Sequence, residues 1–313
     1  MNNEAVGIFT SLALAEKVPP QWVLENLLPV GLTFLAAPPK AYKSTLELGM
    51  ALIVAGYKCG ILPDELGQLP KGAHPGRVVG LSFEASAGEL RHMAEEGLGV
   101  RPLKDDDAIL ICDEPYDFRI DDVDGAAKLI YWLEELKPRM VFLDPLRDLH
   151  SLDEANSGDM NRVLRPLQKW AKENNAAVLV VHHTRKPGDN YGGKSTATDM
   201  RGSSALFGLA DGVLMMTPRD SMQVIIQATF KRAAGWERTL SLGAYGGGEA
   251  VEEEGDLERR VLALIKEDMT LSAIAKQLRL GKPRIVEVTR LMARRGKVKK
   301  VDNKWVAVFP EAK

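Results

Sequence analysis

The segment Leu35–Thr45 constrains the fold of this chain more than any other, because it joins two apolar runs through a short loop that ends in Lys-Ser-Thr. Gly31–Leu35 is apolar and predicts a short buried strand. Ser44–Ala55 carries apolar residues at helical spacing and stops at Gly56, which predicts a helix. A strand, a tight loop and a helix N-terminus form the arrangement that binds phosphate groups in proteins.

This loop departs from the usual phosphate-binding pattern, because Ala37 and Tyr42 stand where the pattern has glycine. Positive φ favours glycine, so the bulky Tyr42 is not expected to adopt it. The loop alone fits an ordinary strand-to-helix turn equally well. If it does bind a nucleotide, backbone N–H groups face the phosphates, Lys43 reaches the β- and γ-phosphates and the Ser44 hydroxyl ligates Mg²⁺.

Apolar runs of strand length alternate with amphipathic helical segments after this loop. The predicted strands are 77–84, 108–112, 140–144 and 177–181, and the predicted helices are 87–97, 123–136 and 160–173. Two further strands, 211–216 and 223–230, are expected at one edge of the sheet. The alternation predicts an α/β fold in which a parallel sheet is covered by helices on both faces.

Ionisable residues stand where these apolar strands end, namely Glu84, Asp144, His182 and His183. Ligands of parallel α/β sheets bind outside the carboxyl ends of the strands, so these side chains are expected beside the phosphate loop. Asp144 fits an acid that holds Mg²⁺ through water, and its structural alternative is a cap before Pro145. Glu84 is placed to orient an attacking water and accept its proton, or is a surface acid.

The two histidines favour a polar sensor of the γ-phosphate over a zinc site, because no cysteine or third histidine lies at a ligand spacing. The segment 184–202 after them is long, basic and rich in glycine, which is typical of a loop that follows a nucleic-acid backbone. A disordered surface loop is the alternative. The candidate contacts are Arg185, Lys186, Lys194 and Arg201.

The formal net charge of −2 conceals a basic C-terminal segment. Residues 256–313 hold 15 Lys and Arg against 7 Asp and Glu, a net of +8, and the preceding residues carry a net of −10. A basic module on an acidic body suggests a polyanionic partner, and a solvated charged surface is the alternative.

The chain divides by composition into four expected parts. They are an arm over 1–21, a large α/β domain over 22–245, a Gly- and Glu-rich linker over 246–255 and a small module over 256–313. Three helical segments and a hairpin in the last part predict a winged helix-turn-helix domain. Its candidate nucleic-acid contacts are Lys282, Arg284, Arg290, Arg294 and Lys297. Packing of this module between subunits is the alternative.

Five short motifs, in this order along the chain, resemble those of RecA-type P-loop ATPases of the plasmid hexameric-helicase (RepA-like) group, which are related to the DnaB helicases. The motifs lie at 38–44, 81–84, 143–150, 181–186 and 201–206 and read PPKAYKS, LSFE, LDPLRDLH, VHHTRK and RGSSAL. The resemblance covers residues 22–240, about two-thirds of the chain. It implies a RecA-like fold for that part, and the winged-helix module lies outside it.

The resemblance also implies roles for the matching residues. Those expected to bind ATP are Ala37, Pro38, Pro39, Lys40, Ala41, Tyr42, Lys43, Ser44 and Thr45. Ser44 and Asp144 are expected to hold Mg²⁺, and the residues expected in catalysis are Glu84, His183, Lys231 and Arg232. The last two are expected to complete the site of a neighbouring subunit, although they are adjacent rather than spaced as Lys-x-Arg in the DnaB relatives.

The implied function is a ring-forming, ATP-driven DNA motor, a hexameric helicase of a phage, plasmid or mobile element. Such a motor couples Mg-ATP hydrolysis between subunits to movement on single-stranded DNA, and duplex DNA is a further expected partner. The alternative is an ATP-switched DNA-binding regulator, or a loader or recombination accessory ATPase without unwinding activity. No basic-then-apolar signal segment and no apolar run of membrane length is found, so a cytoplasmic protein without membrane contact is expected.

Overall fold

A mixed sheet of eight strands forms the centre of the computed structural model of this protein. The residues that the structure describes are 18–39, 41–63, 66–103, 107–184, 203–219, 223–242, 261–265, 269–278, 282–294, 297–301 and 304–307. A small hairpin of β1 (Trp22–Leu24) and β2 (Leu28–Pro29) precedes the sheet. The strands of the sheet are β3 (Gly31–Ala37), β4 (Val78–Ser82), β5 (Ile109–Cys112), β6 (Met140–Asp144), β7 (Ala177–His183), β8 (Gly212–Pro218), β9 (Gln223–Phe230) and β10 (Trp236–Ser241).

The strands lie in the order β10-β9-β8-β3-β7-β6-β4-β5. The six strands from β8 to β5 are parallel to one another, and β9 and β10 run antiparallel at the edge. The phosphate-loop strand β3 therefore lies between β7 and β8. Strand β4, which precedes Glu84, is separated from β3 by β7 and β6.

Helices cover both faces of the sheet, as predicted. They are α1 (Lys43–Val54), α2 (Ala87–His92), α3 (Val123–Leu136), α4 (Ser157–Glu173) and α5 (Ser203–Leu209). A π-helical turn, Met93–Gly97, continues α2, and short 3₁₀ turns occupy Pro115–Phe118 and Leu146–Leu149.

Two separate apolar cores lie on the two faces of the sheet. One contains residues of α1 and α2, and the other contains residues of α3, α4 and α5. Successive residues of a strand point to opposite faces, so β6 contributes Phe142 to the first core and Val141 and Leu143 to the second. Both faces of the central strands are buried, which explains why these strands read as continuous apolar runs rather than as alternating patterns.

The C-terminal part has an apolar core of its own, which includes Val261, Ile274, Ile285, Met292 and Val298. Its described elements are helical residues 261–265, α6 (Leu271–Gln277), α7 (Lys282–Arg294) and a hairpin of β11 (Val298–Val301) and β12 (Lys304–Ala307). The order of helices and hairpin is the expected one, and the assignment to the winged-helix class remains a prediction.

Sequence patterns located most elements well, and the differences have physical causes. Helix α3 and strands β6 and β9 match their predicted bounds. Helix α4 begins three residues earlier than its apolar spacing suggested, because the Asn156 side chain accepts hydrogen bonds from the N–H groups of Gly158 and Asp159 and caps the helix there. Strand β10 was not predicted, because most of its side chains are at least partly exposed at the sheet edge.

A buried carboxylate, Asp211, ties three elements together where β3 and β8 begin. Its Oδ2 accepts hydrogen bonds from the backbone N–H of Leu32 (3.1 Å) and from Nε2 of Gln168 (2.7 Å), and its Oδ1 lies 2.8 Å from Nζ of Lys172. Gly31 (φ +114°) has to be glycine, because a Cβ there would overlap the Asp211 carboxylate.

Asp211→Ala is expected to destabilise the protein by about 2–4 kcal/mol, because it leaves the buried N–H of Leu32 without its acceptor and removes one of the two acceptors of the Gln168 amide. Chemical unfolding measures the change. Glu173→Ala is the matched control from α4, because the pair between Glu173 and Lys169 is exposed and contributes roughly 0.5 kcal/mol or less. Equal losses for the two variants would contradict this role of Asp211.

Candidate active site

The loop between β3 and α1 ends in a residue with a left-handed backbone. Tyr42 has φ 60° and ψ 26°, the left-handed conformation, and α1 begins at the next residue. The expectation that Tyr42 would avoid positive φ is therefore wrong: the loop takes this geometry at a cost of roughly 1–2 kcal/mol. Packing of the Tyr42 ring against the core below α1 and the N–H of Thr184 bonded to the carbonyl of Ala37 (3.1 Å) help to hold the loop in place.

Lys43 lies at the start of α1 and folds back over its own loop. Its Nζ lies 3.2 Å from the carbonyl oxygen of Pro38 and 3.3 Å from Nδ1 of His183. Burial lowers the pKa of Lys43, and the carboxylates of Asp144, Glu84 and Glu47 oppose that shift. Lys40, the other basic residue of the predicted loop, lies outside the described residues.

His183, the last residue of β7, stands between Lys43 and Glu84. Because the Lys43 ammonium can only donate, Nδ1 of His183 accepts and its ring proton is on Nε2. That Nε2 lies 3.4 Å from Oε1 of Glu84. The three residues form a chain from the helix N-terminus to the end of β4, and this chain brings Glu84 into the site although its strand is distant from β3.

Asp144 ends β6 as a buried carboxylate beside this chain. Its Oδ1 has no hydrogen-bond partner within the described part of the structure. Burial raises the pKa of Asp144 to about 7, with a further contribution from Glu84 and an opposing one from Lys43. Ser44 is partly exposed in the first turn of α1. A carboxylate oxygen and a serine hydroxyl are oxygen ligands of the kind that Mg²⁺ prefers.

Glu47 is a third acid of the site that sequence analysis missed. It lies one helical turn after Lys43 and is fully buried, and its Oε2 has no hydrogen-bond partner in the described part. Burial raises the pKa of Glu47 well above its ordinary value, and the charges of Asp144 and Glu84 add to the shift. The sequence did contain an indication of this role, because Glu47 lies one helical turn after Lys43 and helical spacing places both on the same face of α1.

The two basic residues expected from a neighbouring subunit lie at the opposite end of the sheet. Strand β9 runs antiparallel, and its Phe230 pairs with Gly212 at the start of β8. The N–H of Lys231 bonds to the carbonyl of Asp211 (3.0 Å), and the side chains of Lys231 and Arg232 are exposed. Neither residue approaches the Lys43 loop of its own subunit, because a whole strand length separates the two ends.

The expected nucleic-acid contacts are only partly described. Arg290 of α7 and Lys297 before β11 are exposed. Lys282, Arg284 and Arg294 lie on α7, and the segment that carries Arg185, Lys186, Lys194 and Arg201 lies outside the described residues.

The conformation of Tyr42 is tested by comparing Tyr42→Gly with Tyr42→Ala. Both variants lose the ring, but only glycine relieves the left-handed strain, so the glycine variant is expected to be more stable by about 1 kcal/mol. Chemical unfolding of the two variants measures the difference. In an ordinary helical position the order would be reversed, with alanine the more stable by about 1 kcal/mol, and that order would contradict the observed backbone.

The buried Asp144 makes the stability of the protein depend on pH when no nucleotide is added. Its pKa is raised to about 7, so its stabilising contribution is complete below the ordinary aspartate pKa and is lost progressively as the pH rises from there through about 7. Asp144→Asn is expected to lie close to the wild type at about pH 4 and to exceed it by about 2–4 kcal/mol at about pH 8. Unfolding at both pH values measures this, and a stability difference that does not change with pH would contradict it.

Comparison with known families matches residues 6–189 to AAA_25, an AAA domain, which is more than half of the 313 residues. Among solved structures, an ATPase domain is similar over 70% of this chain and 85% of its own, with 14% identity and a TM-score of 0.47. The RadB recombinase is similar over 68% of this chain and 87% of its own, with 18% identity and a TM-score of 0.45. No helix in the described part of the chain is long and apolar enough to span a membrane.

Proposed function

The chain belongs to the AAA_25 family of AAA domains, and from that membership we propose that it is a ring-forming, ATP-driven DNA motor of the helicase class. The observation that carries the proposal is the chain of contacts from Lys43 through His183 to Glu84, with Asp144 beside it. These are a phosphate-binding cation, a polar sensor, a general base and a metal-binding acid. A P-loop ATPase needs one residue of each kind.

ATP is proposed to bind over residues 37–45, where the first N–H groups of α1 have no partner within the helix and favour an anion. The left-handed Tyr42 and the donor-free Oδ1 of Asp144 fit such a ligand and its Mg²⁺. Ser44 and Asp144 would hold the ion, directly or through water. When bound, Mg²⁺ supplies charge neutralisation at the β- and γ-phosphates.

Lys43 contacts two partners within the site, Pro38 and His183, and it gives them up when it turns towards the phosphates. Its departure leaves Nδ1 of His183 without its donor, so this nitrogen can take up a proton and donate it in a hydrogen bond to the γ-phosphate. Glu84 then accepts a proton from water as the water oxygen attacks the γ-phosphorus and the bond to the bridging oxygen breaks. In this order of events Lys43 binds the phosphates, His183 senses the γ-phosphate and Glu84 accepts the proton.

Lys231 and Arg232 are proposed to act on the nucleotide of a neighbouring subunit. Their position at the far end of the sheet supports this, because a residue that works in trans has to face away from its own phosphate loop. A ring of subunits, with six as the expected number, would bring this end of one subunit to the loop of the next. The positive charge would then stabilise the developing charge of the transferred phosphoryl group.

Single-stranded DNA is proposed to bind the basic segment that follows Thr184, one residue beyond the sensor His183. The C-terminal module is proposed to add contacts to duplex DNA through the exposed Arg290 and Lys297 and the other basic residues of α7. Contacts with phosphates release counterions, so binding should weaken steeply with salt.

An ATP-switched regulator or loader is the second candidate, and the contacts of His183 give it some support. Lys43 and Glu84 both contact this histidine, so a nucleotide that draws Lys43 away changes the contacts even without hydrolysis. Steady-state ATPase on oligomers of defined size, with and without single-stranded DNA, separates the two candidates. Stimulated turnover with strand displacement supports the motor, and nucleotide-dependent binding to duplex DNA without turnover supports the regulator.

Glu84→Gln is expected to keep ATP affinity and to lower the hydrolysis rate by about 10² or more, the usual scale for the loss of a general base. Glutamine keeps the size of the side chain but cannot accept the proton. The matched control is Glu114→Gln, an exposed acid after the neighbouring strand β5, which should turn over ATP like the wild type. An unchanged rate in the Glu84 variant, measured with phosphate release, would remove Glu84 from the mechanism.

A further inference from the structure

A second polar cluster is buried next to the active site and is not used by the chemistry proposed above. It consists of Glu154 and the two histidines on either side of it, His150 and His182, and all three side chains are buried. Nε2 of His150 lies 3.9 Å from Oε1 of Glu154, and Nε2 of His182 lies 3.9 Å from Oε2. The carboxylate therefore stands between two imidazole rings at equal distance.

The protonation of His150 follows from its contacts. The backbone N–H of Leu152 donates to its Nδ1 (3.1 Å), so the ring proton is on Nε2 and faces Glu154. Burial lowers the pKa of His150, which favours the neutral ring. A distance of 3.9 Å is about 1 Å longer than a hydrogen bond, so a small shift of either element brings one imidazole into bonding distance of the carboxylate.

The cluster joins the loop after β6 to the neighbouring strand β7. His150 and Glu154 belong to the segment 145–156 that follows β6, and His182 is in β7, next to His183. Adjacent residues of a strand point to opposite faces, so one strand end carries His183 towards Lys43 and His182 towards Glu154. A movement of this strand end is therefore transmitted to both faces of the sheet.

The segment 145–156 is also held by hydrogen bonds to a neighbouring segment, so it cannot move freely when Glu154 is displaced. The N–H and Oγ of Ser151 both donate to Oδ2 of Asp121 (2.8 Å each), and Arg119 pairs with the same carboxylate. The N–H of Ile120 bonds to the carbonyl of Leu149 (2.9 Å). These bonds hold the segment at Leu149 and Ser151, and Glu154, further along the segment, contacts the two histidines.

We propose that Glu154 is a positioning residue that couples nucleotide binding at His183 to the segment 145–156, through His182 on one side and His150 on the other. When Lys43 leaves His183, the end of β7 shifts. This shift changes the distances from the Glu154 carboxylate to the two imidazole rings. Because the basic segment after Thr184 starts at the same strand end, the coupling sets the affinity for single-stranded DNA. This last step rests on the proposed function.

The test compares Glu154→Gln, which keeps the volume and removes the charge, with Asp153→Asn as the matched control. Asp153 is exposed on the same loop, and asparagine keeps the acceptor that bonds the N–H of Ala155. The measured quantity is the ratio of affinities for a fluorescent oligo-dT in the presence of a non-hydrolysable ATP analogue and of ADP. The wild type and the control are expected to show a ratio of about ten, and Glu154→Gln a ratio near one. Glu154→Asp is expected to restore part of the ratio.

Hydrogen exchange of peptides from 145–156, with and without the ATP analogue and in the absence of DNA, gives a readout independent of the proposed DNA binding. Nucleotide-dependent protection that is lost in Glu154→Gln and kept in Asp153→Asn supports the coupling even if the wild type binds no DNA. Unchanged protection and an unchanged affinity ratio in Glu154→Gln overturn it. Loss of nucleotide binding itself also overturns it, because the cluster would then belong to the nucleotide site. If Glu154→Gln does not fold, His150→Gln, which keeps the carboxylate, is measured in the same way and judged by the same outcomes.

Discussion

The pairing of β3 with β7 is the constraint on which the rest of the site depends. Seven consecutive residue pairs hold the two strands in register, from Gly31 with Ala177 to Ala37 with His183. The last pair places the start of the loop before α1 beside His183, so Lys43 meets His183 without any further element to guide it. Because parallel strands end together at one edge of the sheet, the same register carries Asp144 and Glu84 to that edge through β6 and β4.

The site concentrates charge in a place where water is scarce. Lys43, Glu47 and Asp144 are all buried, and burial shifts the pKa of each towards its neutral form. Such an arrangement costs the fold free energy, and a cation or phosphate group that pairs with these charges offsets that cost. The chain belongs to the AAA_25 family of AAA domains, and ligand binding at this site is expected to stabilise the whole domain.

Much of this site was predictable, because apolar strands that end on Glu84, Asp144 and His183 can be recognised without a structure. Other features required the structure. The order of strands depends on long-range pairing, so nothing local showed that β4 is distant from β3. The burial of Glu47 depends on what covers α1. His182 was predicted at the site together with its neighbour, whereas the pleat of β7 turns it towards Glu154. The predicted nucleic-acid contacts all stay predictions.

The adjacent histidines of β7 have a consequence for how this chain tolerates insertions and deletions. A one-residue shift of a strand exchanges the faces of all its side chains. One inserted or deleted residue in β7 would therefore place His182 at the phosphate loop and send His183 towards Glu154, or remove both from their partners. Core composition would hardly change, since the strand is apolar on both faces. Relatives should consequently show no insertions or deletions in β7, whereas the edge strands β9 and β10 should tolerate them.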